Sequence, residues 1–276
     1  MSLSRQIGKA LLGKPLKELN AGQKEMSIRL RQMELRLSDL ARASLAFPDP
    51  DVSVATESPV AVTSNDHVFP HGTADDDTRY PRFCAKAERV LGPRLSFLDI
   101  GCSGGGLVFD FLQRGHFAIG IEGSDYSLLN QRAHWSLIPR HLFTCDATKP
   151  YTIHVNGSNA PHAFDLVSAW EVLEHIPEDA LPQFFANVRA HLRPGGLFVA
   201  SVATFEDRDE KTGAVFHVTI KPRGWWEQKL ADAGLMPTES PFVTADFPRG
   251  SGNPLAKDWD AQARPDLGFH VVARAA

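Results

Sequence analysis

A glycine-rich loop follows an apolar run in the first half of the chain. Residues 98–106 read LDIGCSGGG. Glycines let a backbone turn sharply and approach a ligand closely, because no Cβ atom stands in the way. The next predicted strand ends at Glu122, 23 residues after Asp99, where a carboxylate can accept two hydrogen bonds from a ribose diol. Together these two strand ends indicate a site for a nucleoside.

The residue types in the loop favour a nucleoside without a phosphate group. A dinucleotide fingerprint needs glycine at the middle position of G-x-G-x-x-G, but Gly101, Ser103 and Gly106 place a serine there. Asp99 adds negative charge, which repels an anion and attracts an ammonium group. S-adenosylmethionine carries an ammonium group, a sulfonium and no phosphate, so it fits this loop better than NAD does. An NAD-type oxidoreductase stays as an alternative.

Buried parallel strands are needed to position these residues. Several short runs are apolar without the alternation of a half-solvated strand, and amphipathic stretches lie between them. Strand, helix and strand repeated in this way predict a doubly wound α/β fold, whose ligand site lies at the carboxyl ends of the strands. The predicted strands include residues 95–100, 117–121, 164–168 and 197–202, and the clearest helix, 181–192, is followed by the turn Pro194-Gly195-Gly196.

These motifs resemble the class I S-adenosylmethionine-dependent methyltransferases over about residues 80–236. The resemblance implies a Rossmann-like, mostly parallel sheet of seven strands and S-adenosylmethionine as cofactor. It implies that the loop holds the methionine part, that Glu122 holds the ribose and that Asp146 clamps the adenine. Residues 164–176, FDLVSAWEVLEHI, are similar to the family's fourth-strand motif, which borders the methyl group. The implied cofactor-binding residues are Asp99, Gly101, Cys102, Ser103, Gly104, Gly105, Glu122, Gly123, Ser124, Asp146, Ala147, Trp170 and Glu171.

Ser103 departs from the family pattern, which has glycine at this place. Its hydroxyl can hydrogen-bond the carboxylate of the ligand, so we expect rearranged or weakened cofactor binding and not its loss. A noncatalytic scaffold that binds S-adenosylmethionine is the alternative.

Two histidines are the candidates for a catalytic base. Methyl transfer from a sulfonium is an in-line displacement, and holding the acceptor and the methyl group in line in a dry pocket supplies most of the rate. His175 and His217 follow predicted strands whose ends face the cofactor, and an imidazole titrates near neutrality. Either can therefore take a proton from an acceptor hydroxyl. The alternative is that both only stabilise local structure, and Glu171 and Glu174 are equally open to a structural role.

The sequence predicts no metal site. The three cysteines, Cys84, Cys102 and Cys145, lack a C-x-x-C spacing. The run Asp75-Asp76-Asp77 offers oxygen ligands of the kind that magnesium binds, but a solvated acidic turn explains it more simply. An odd number of cysteines also argues against a disulfide framework and fits a reducing cytoplasm.

The N-terminal part of the chain shows a heptad pattern. Apolar residues recur at steps of four and three from Leu12 to Leu40, with Gln23 as a polar position. A stripe this narrow suits a coiled coil, so we predict a homo-oligomer formed through this helix. An amphipathic helix folded onto its own domain is the alternative. The predicted domains are 1–46, the heptad helix; 47–80, a linker and lid-like segment; and 81–276, the methyltransferase domain.

Charge is distributed unevenly along the chain. The net charge is −4, but residues 1–46 hold nine Lys and Arg against four Asp and Glu, a local +5, which leaves −9 for the remainder. An acidic body without a basic stripe is a poor partner for nucleic acid, so no such partner is expected. The stretch from Arg5 to Lys17 allows weak contact with an anionic membrane surface, but no apolar run reaches the length of a membrane span.

The methyl acceptor is the least constrained part of the interpretation. The ending of the chain, with Trp259 and an apolar run at residues 269–273, and the heptad helix are similar to methyltransferases that act on bacterial surface polysaccharides. A hydroxyl of a sugar or polysaccharide precursor is therefore the predicted acceptor. A small-molecule or lipid-like acceptor is the alternative.

Overall fold

The structure is a computed structural model that describes Met26, Leu30, Met33, Phe47, Pro50, residues 51–251 and residues 259–275. The chain divides into two compact units, Met1–Phe47 and Pro48–Ala276. In the first unit, Met26, Leu30 and Met33 are helical with exposed side chains. The rest of the predicted heptad helix lies outside the described residues, and the homo-oligomer stays a prediction.

A sheet of seven strands forms the centre of the second unit. The strands of the described residues are β1 (Val52–Thr56), β2 (Ser96–Ile100), β3 (Phe117–Glu122), β4 (Leu142–Thr144), β5 (Tyr151–Val155), β6 (Phe164–Trp170), β7 (Leu192–Ala203), β8 (Leu235–Pro237) and β9 (Gly268–Ala275). The seven-stranded sheet has the order β4-β3-β2-β6-β7-β9-β8, and β1 pairs with β5. In the larger sheet only the two pairings of β9 are antiparallel. The predicted mostly parallel sheet of seven strands is confirmed.

The central strands are apolar on both faces because both faces are covered. All seven residues of β6 are buried, and β2 and β3 are buried after their first residue. Strands in this environment lose the alternation of a half-solvated strand, which is the pattern that the sequence showed. The four predicted strand segments are therefore confirmed as β2, β3, β6 and β7.

Helices pack on both faces of the sheet. The helices are α1 (Asn65–Val68), α2 (His71–Asp75), α3 (Pro81–Leu91), α4 (Gly106–Gln113), α5 (Tyr126–Leu129), α6 (Leu181–His191) and α7 (Arg223–Asp232). On one face Phe111 of α4 stacks on Phe97 of β2, with ring centroids 3.9 Å apart. On the other face the next residue, Leu98, joins a buried cluster with Phe184 of α6 and Trp226 of α7. Successive strand residues face opposite sides, so the doubly wound arrangement is confirmed. No helix in the described part of the chain has the length and hydropathy needed to cross a membrane.

Two segments differ from the sequence expectation. A strand, β1, occupies part of the predicted linker at 47–80, because Val52 and Val54 alternate with exposed residues and pair antiparallel with β5. The predicted turn after α6 lies within β7 instead. Gly195 there has a φ of 76°, and regular pairing with β6 resumes at Leu197 after an irregular stretch.

The parallel strands bring their carboxyl ends to one edge of the sheet. Glu122 at the end of β3 pairs with Thr144 at the end of β4. Trp170 at the end of β6 pairs with Ser201 of β7. Residues that follow different strands in the sequence therefore lie side by side at this edge, which is where an open α/β sheet binds its ligand.

Candidate active site

A cavity of about 1140 Å³ opens at this edge of the sheet. The loops that follow β2, β3, β4 and β6 form its floor. Residues between Ala61 and Asp76, residues between Phe205 and Val218, and Arg249 form the rest of its wall. Ligand pockets commonly measure about 300–1,000 Å³, so this volume accommodates a nucleoside cofactor together with a small acceptor.

The glycine-rich loop ties the end of β2 to the end of β3. The backbone N–H groups of Gly101 and Cys102 both donate to the carbonyl of Ile121, at 2.8 and 3.1 Å. Gly101 has a φ of 73°, and a Cβ atom there would lie 2.5 Å from Val172 Cγ2. The turn therefore requires glycine. Gly101 lines the cavity, as the sequence predicted.

Glu122 is held in place by two backbone donors. The N–H of Ser103 donates to Oε2 at 2.7 Å, and the N–H of Ser124 donates to Oε1 at 3.1 Å. Burial raises the pKa of the Glu122 carboxyl, and these two donors oppose that rise. Each carboxylate oxygen retains further acceptor capacity, so Glu122 can bind both hydroxyls of a ribose. Gly123 and Ser124 line the cavity beside it.

Two of the predicted loop glycines lie outside the cavity wall. A Cβ atom on Gly104 would lie 2.5 Å from Asp77 Oδ1, and one on Gly105 would lie 2.5 Å from Leu142 Cδ1. The close approach that these glycines allow is to other parts of the protein, and their contact with the cofactor stays a prediction. Gly104 lets the segment after α2 lie across the loop.

Asp99 and Cys102 also lie outside the cavity wall. Asp99 is buried, and the hydroxyl of Ser168 on the neighbouring strand donates to its Oδ1 at 2.6 Å. Burial raises the pKa of Asp99 to about 7, although the Ser168 bond opposes the rise. The Cys102 side chain lies against Gly120, where a Cβ atom would come within 2.7 Å of Sγ. Both residues support the loop through contacts within the protein, and direct cofactor contact stays a prediction for them.

Ser103 lines the cavity, but its hydroxyl is used within the protein. Oγ lies 3.1 Å from the carbonyl of Thr73 and 2.9 Å from that of Asp76, and it accepts from Arg132 Nη2 at 2.8 Å. The residue has a φ of 45°, a conformation that costs a residue other than glycine free energy. The serine hydroxyl thus joins α2 and the residue after it to the loop, and its expected bond to a ligand carboxylate stays a prediction.

Asp146 and Ala147 lie in the turn after β4 and line the cavity. Thr148 donates to Asp146 Oδ1 from its N–H at 2.9 Å and from its hydroxyl at 2.6 Å. The N–H of Asp146 donates to the carbonyl of Ser58 at 3.0 Å. These bonds fix the carboxyl group, and its second oxygen remains available to the exocyclic amine of an adenine.

Trp170 and Glu171 form the wall after β6 and line the cavity. Trp170 packs edge-on against Phe83, with ring centroids 5.1 Å apart. Glu171 has a φ of 53°, and a strained residue at a strand end is typical of functional sites. Its N–H donates to Ser201 Oγ at 3.0 Å, and Trp259 Nε1 donates to its Oε2 at 2.7 Å.

The two candidate histidines lie together in the cavity wall. The rings of His175 and His217 are 4.8 Å apart between centroids, at 79° to each other. His175 Nδ1 donates to Asp66 Oδ2 at 3.0 Å, and His217 Nδ1 donates to the carbonyl of Phe205 at 2.7 Å. Glu174 joins them, and the three residues offer ligand atoms within 4.8 Å of one another.

The pKa values of the two histidines are shifted in opposite directions. Burial by itself lowers the pKa of His175, but the hydrogen bond and the charge of Asp66 raise it to about 9. Burial and the charge of His175 lower the pKa of His217. An imidazolium cannot accept a proton, so these opposite pKa shifts favour His217 over His175 as the base. His217 is neutral, with the lone pair of its Nε2 available.

Residues 73–238 match the family of methyltransferase domains, which is more than half of the chain. The chain belongs to this family. It is therefore an S-adenosylmethionine-dependent methyltransferase, as the motifs at the ends of β2, β3, β4 and β6 predicted. The match includes both candidate histidines and the whole segment from α3 to α7.

Relatives of this methyltransferase are similar over most of their length. It is 30% identical to the ubiquinone biosynthesis O-methyltransferase of Brucella ovis over 70% of this chain and 79% of that protein. It is 27% identical to the protein of the same name from Stutzerimonas stutzeri over 63% of this chain and 75% of the relative. The solved 1,6-didemethyltoxoflavin-N1-methyltransferase of Burkholderia thailandensis is 19% identical, with a TM-score of 0.47 and coverage of 76% and 83%.

The charges around the methyltransferase's cavity fit its cofactor. Among the described residues, seven carboxylates line the cavity against the two cations Lys149 and Arg249. A phosphate would be repelled by this lining, whereas the ammonium and sulfonium of S-adenosylmethionine are attracted to it. Glu122 supplies the acceptors for the ribose, and Gly101 provides the close approach. The carboxylates are Asp66, Asp76, Glu122, Asp146, Glu171, Asp179 and Asp207.

Part of the cavity wall comes from segments that are distant in the sequence and that no motif indicated. Asp66 and Asp76 come from the predicted linker and lid-like segment, where neither was predicted to bind the cofactor, and Arg249 follows α7. Arg249 Nη2 lies 2.7 Å from Asp76 Oδ1, so these two segments meet above the cavity. The run Asp75-Asp76-Asp77 was a usable signal, because Asp76 pairs with Arg249 and Asp77 lies 3.0 Å from His134 Nδ1.

Proposed function

We propose that this methyltransferase transfers the methyl group to a hydroxyl oxygen of a small acceptor. The observation that carries the proposal is that one cavity is lined both by Glu122, which can bind the ribose, and by the His175–His217 pair. A hydroxyl is a poor nucleophile until it loses its proton, and imidazoles are suited to that task. The O-methyltransferase names of the relatives support the same acceptor atom.

The bound cofactor supplies an electrophilic methyl group, and the chain's own residues orient the acceptor towards it. Glu122 and Asp146 hold the nucleoside end, and Trp170 and Glu171 line the same cavity as the two histidines. With no further group at this end of the cavity, His217 is the base, because it is neutral and the carbonyl of Phe205 fixes its tautomer. His175, held by Asp66, then positions the hydroxyl as a donor.

Aromatic and apolar residues surround the histidine end and favour a phenolic, lipid-like acceptor. The ring of Phe205 lies 4.9 Å from that of His217 between centroids. Phe216, Val215 and Ile176 also line this part of the wall. A flat ring gains contact area against such residues. The relatives are named for ubiquinone biosynthesis, which supports this class of acceptor.

A sugar hydroxyl is the second candidate, as the sequence resemblance predicted. The carboxylates of Asp179 and Asp207 line the cavity, and carboxylates commonly bind vicinal hydroxyls. Both candidates use the same end of the cavity and the same chemistry, so they differ only in the shape and polarity of the acceptor.

The test is methyl transfer from labelled S-adenosylmethionine to a matched panel of acceptors. The panel pairs catechols that carry alkyl or prenyl chains with sugars and sugar nucleotides, and products are analysed by mass spectrometry. We expect an O-methyl ether from the catechols, with turnover reduced in His217→Ala and cofactor affinity unchanged. Product from the sugars alone would replace the phenolic class by the sugar class. Methylation of nitrogen or carbon in place of oxygen would contradict the proposed function.

A further inference from the structure

Glu174 presents a buried carboxylate oxygen to the two active-site histidines. Its Oε1 accepts from the N–H of Ala203 at 2.8 Å, but its Oε2 has no hydrogen-bond partner among the described residues. The side chain is 0% exposed. A buried carboxylate oxygen without a partner is costly unless a ligand binds it. With His175 and His217 it forms the group whose ligand atoms lie within 4.8 Å of one another.

Both imidazoles are oriented by a hydrogen bond from Nδ1. The acceptors on Nδ1 are a carboxylate, Asp66, for His175 and a backbone carbonyl, that of Phe205, for His217. Each acceptor fixes the proton on Nδ1, so the lone pair of the neutral ring lies on Nε2. Histidines that bind metals in proteins are supported in this way by a carboxylate or a carbonyl on the second nitrogen.

We propose that Glu174, His175 and His217 hold one divalent cation, and that this cation binds the hydroxyl oxygen of the methyl acceptor. The proposal rests on the O-methyl transfer proposed above, and it gives the cation the task of the histidine base. His175 and His217 line the cavity. A cation with three protein ligands keeps open positions for the acceptor.

The chemical step balances with the cation in place. A bound cation lowers the pKa of a coordinated hydroxyl, whose proton then leaves to solvent. The oxygen's electron pair forms the new C–O bond while the C–S bond of the sulfonium breaks and its electrons stay on sulfur. The products are a methyl ether, S-adenosylhomocysteine and one proton. Neither histidine has to accept a proton in this step.

The ligand set favours a borderline transition metal over magnesium or calcium. Two imidazoles and one carboxylate suit zinc, iron, cobalt or nickel, whereas magnesium and calcium prefer oxygen ligands throughout. Zinc–ligand distances are about 2.0–2.2 Å, so the three ligand atoms need only a small inward movement to reach one ion. The carboxylates of Glu171, Asp179 and Asp207 line the same cavity and offset the added positive charge.

The first experiment measures Zn²⁺ binding directly. The full chain is treated with a chelator, dialysed and titrated with Zn²⁺ by calorimetry in the presence of a chromophoric competitor. We expect one Zn²⁺ per chain. Glu174→Gln keeps the bond to Ala203 through its amide oxygen, and His217→Asn keeps a donor for the Phe205 carbonyl, so both variants preserve the local structure while removing a ligand.

The loss of Zn²⁺ affinity should be larger in variants that remove a ligand than in a variant that changes a residue supporting a ligand. Asp66→Asn removes no ligand and weakens the support of His175, and changes of this kind typically weaken metal binding about 10–100-fold. Glu174→Gln and His217→Asn should weaken it further than Asp66→Asn does. His162→Asn is the matched control, because this histidine bonds Ser96 Oγ at 2.8 Å, before β6 and at the opposite edge of the sheet, and should leave Zn²⁺ binding unchanged.

The outcomes separate this proposal from the proposed function. Calorimetry with S-adenosylhomocysteine first shows that each variant retains its cofactor site. The cation site is overturned if the parent binds no Zn²⁺. It is also overturned if Glu174→Gln and His217→Asn bind Zn²⁺ as tightly as the parent does. Full O-methyl transfer by the chelator-treated protein overturns the role of the cation. Zn²⁺ binding that depends on these residues, in a protein that methylates no hydroxyl, upholds the cation site and contradicts the proposed function.

Discussion

Asp99 shows how a buried charged group acts on stability and not on the ligand. Its Oδ1 accepts from Ser168, it is buried, and its pKa is about 7 in the folded protein against 3.8 for an unperturbed aspartate. Between these two values the folded protein binds a proton that the unfolded chain releases. Stability contributed by this group is therefore lost as pH rises through the window.

Replacing Asp99 by asparagine should remove that pH dependence. We expect Asp99→Asn to gain stability over the parent as pH rises from about 4 to 7, by up to about 1.4 kcal/mol per pH unit, with no further gain above pH 7. The amide oxygen can still accept from Ser168. Urea denaturation of the cofactor-free proteins at pH 5 and pH 8 measures the difference. The same difference between parent and variant at both pH values would contradict the assignment.

Glu122 is the residue on which cofactor affinity should depend most strongly. Glu122→Ala removes the acceptors for two ribose hydroxyls, which should cost on the order of 2–4 kcal/mol of S-adenosylhomocysteine binding measured by calorimetry. Asp125→Ala is the control, since Asp125 lies three residues further on, outside the cavity wall, 3.6 Å from His67. Equal affinity in the two variants would show that the ribose does not bind at Glu122.

The sequence located cavity-lining residues most reliably at the ends of predicted strands. Glu122, Asp146 and Trp170 all line the cavity as predicted, because the ends of parallel strands meet at one edge. Sequence could not separate Gly101 from Gly104, since the loop pattern is the same whether a glycine faces a ligand or another segment. Only the position of residues 76–79 decides between them.

At the scale of elements, the segment after α2 and the glycine-rich loop form one unit. Ser103 lies in the left-handed region with a φ of 45°, and its hydroxyl contacts the carbonyls of Thr73 and Asp76. The conformation favours glycine, whereas the hydrogen bonds favour serine. A sequence pattern reports the departure from glycine but not the partners that compensate for it.

Two substitutions at Ser103 separate these effects. Ser103→Ala loses the hydroxyl and keeps the unfavourable backbone, so we expect a loss of about 1–3 kcal/mol in unfolding free energy. Ser103→Gly loses the same hydroxyl but relieves the backbone, so it should be less destabilised than alanine by roughly 1 kcal/mol. Hydrogen exchange should quicken at residues 73–79 in both. Greater stability of the alanine variant would refute the backbone argument.

The strand β1 lies in the predicted linker, and its pairing with β5 has no local sequence signal. Its residues alternate in burial, but the run is short and its partner lies almost 100 residues further along the chain. Pairing over such a separation leaves no local signal. The central strands were predictable because each is apolar throughout and is followed by a helix or a loop with its own pattern.

At the scale of the whole molecule, the heptad pattern predicts self-association. Met26, Leu30 and Met33 fall on the apolar positions of the heptads and are exposed in the single chain. Removing residues 1–46 should therefore give a monomer that binds S-adenosylhomocysteine as the full chain does. Light scattering and calorimetry on both proteins test this. An unchanged oligomer after the deletion would exclude the coiled coil as its cause.

The ion pair between Asp76 and Arg249 has a consequence for the timing of the catalytic cycle. These residues join the two segments that meet above the nucleoside end of the cavity. If spent cofactor leaves past this ion pair, the pair must break first, and we then expect the first turnover to be faster than those that follow. Rapid-quench measurements should show a burst of product, and Arg249→Ala should abolish it by making departure quick.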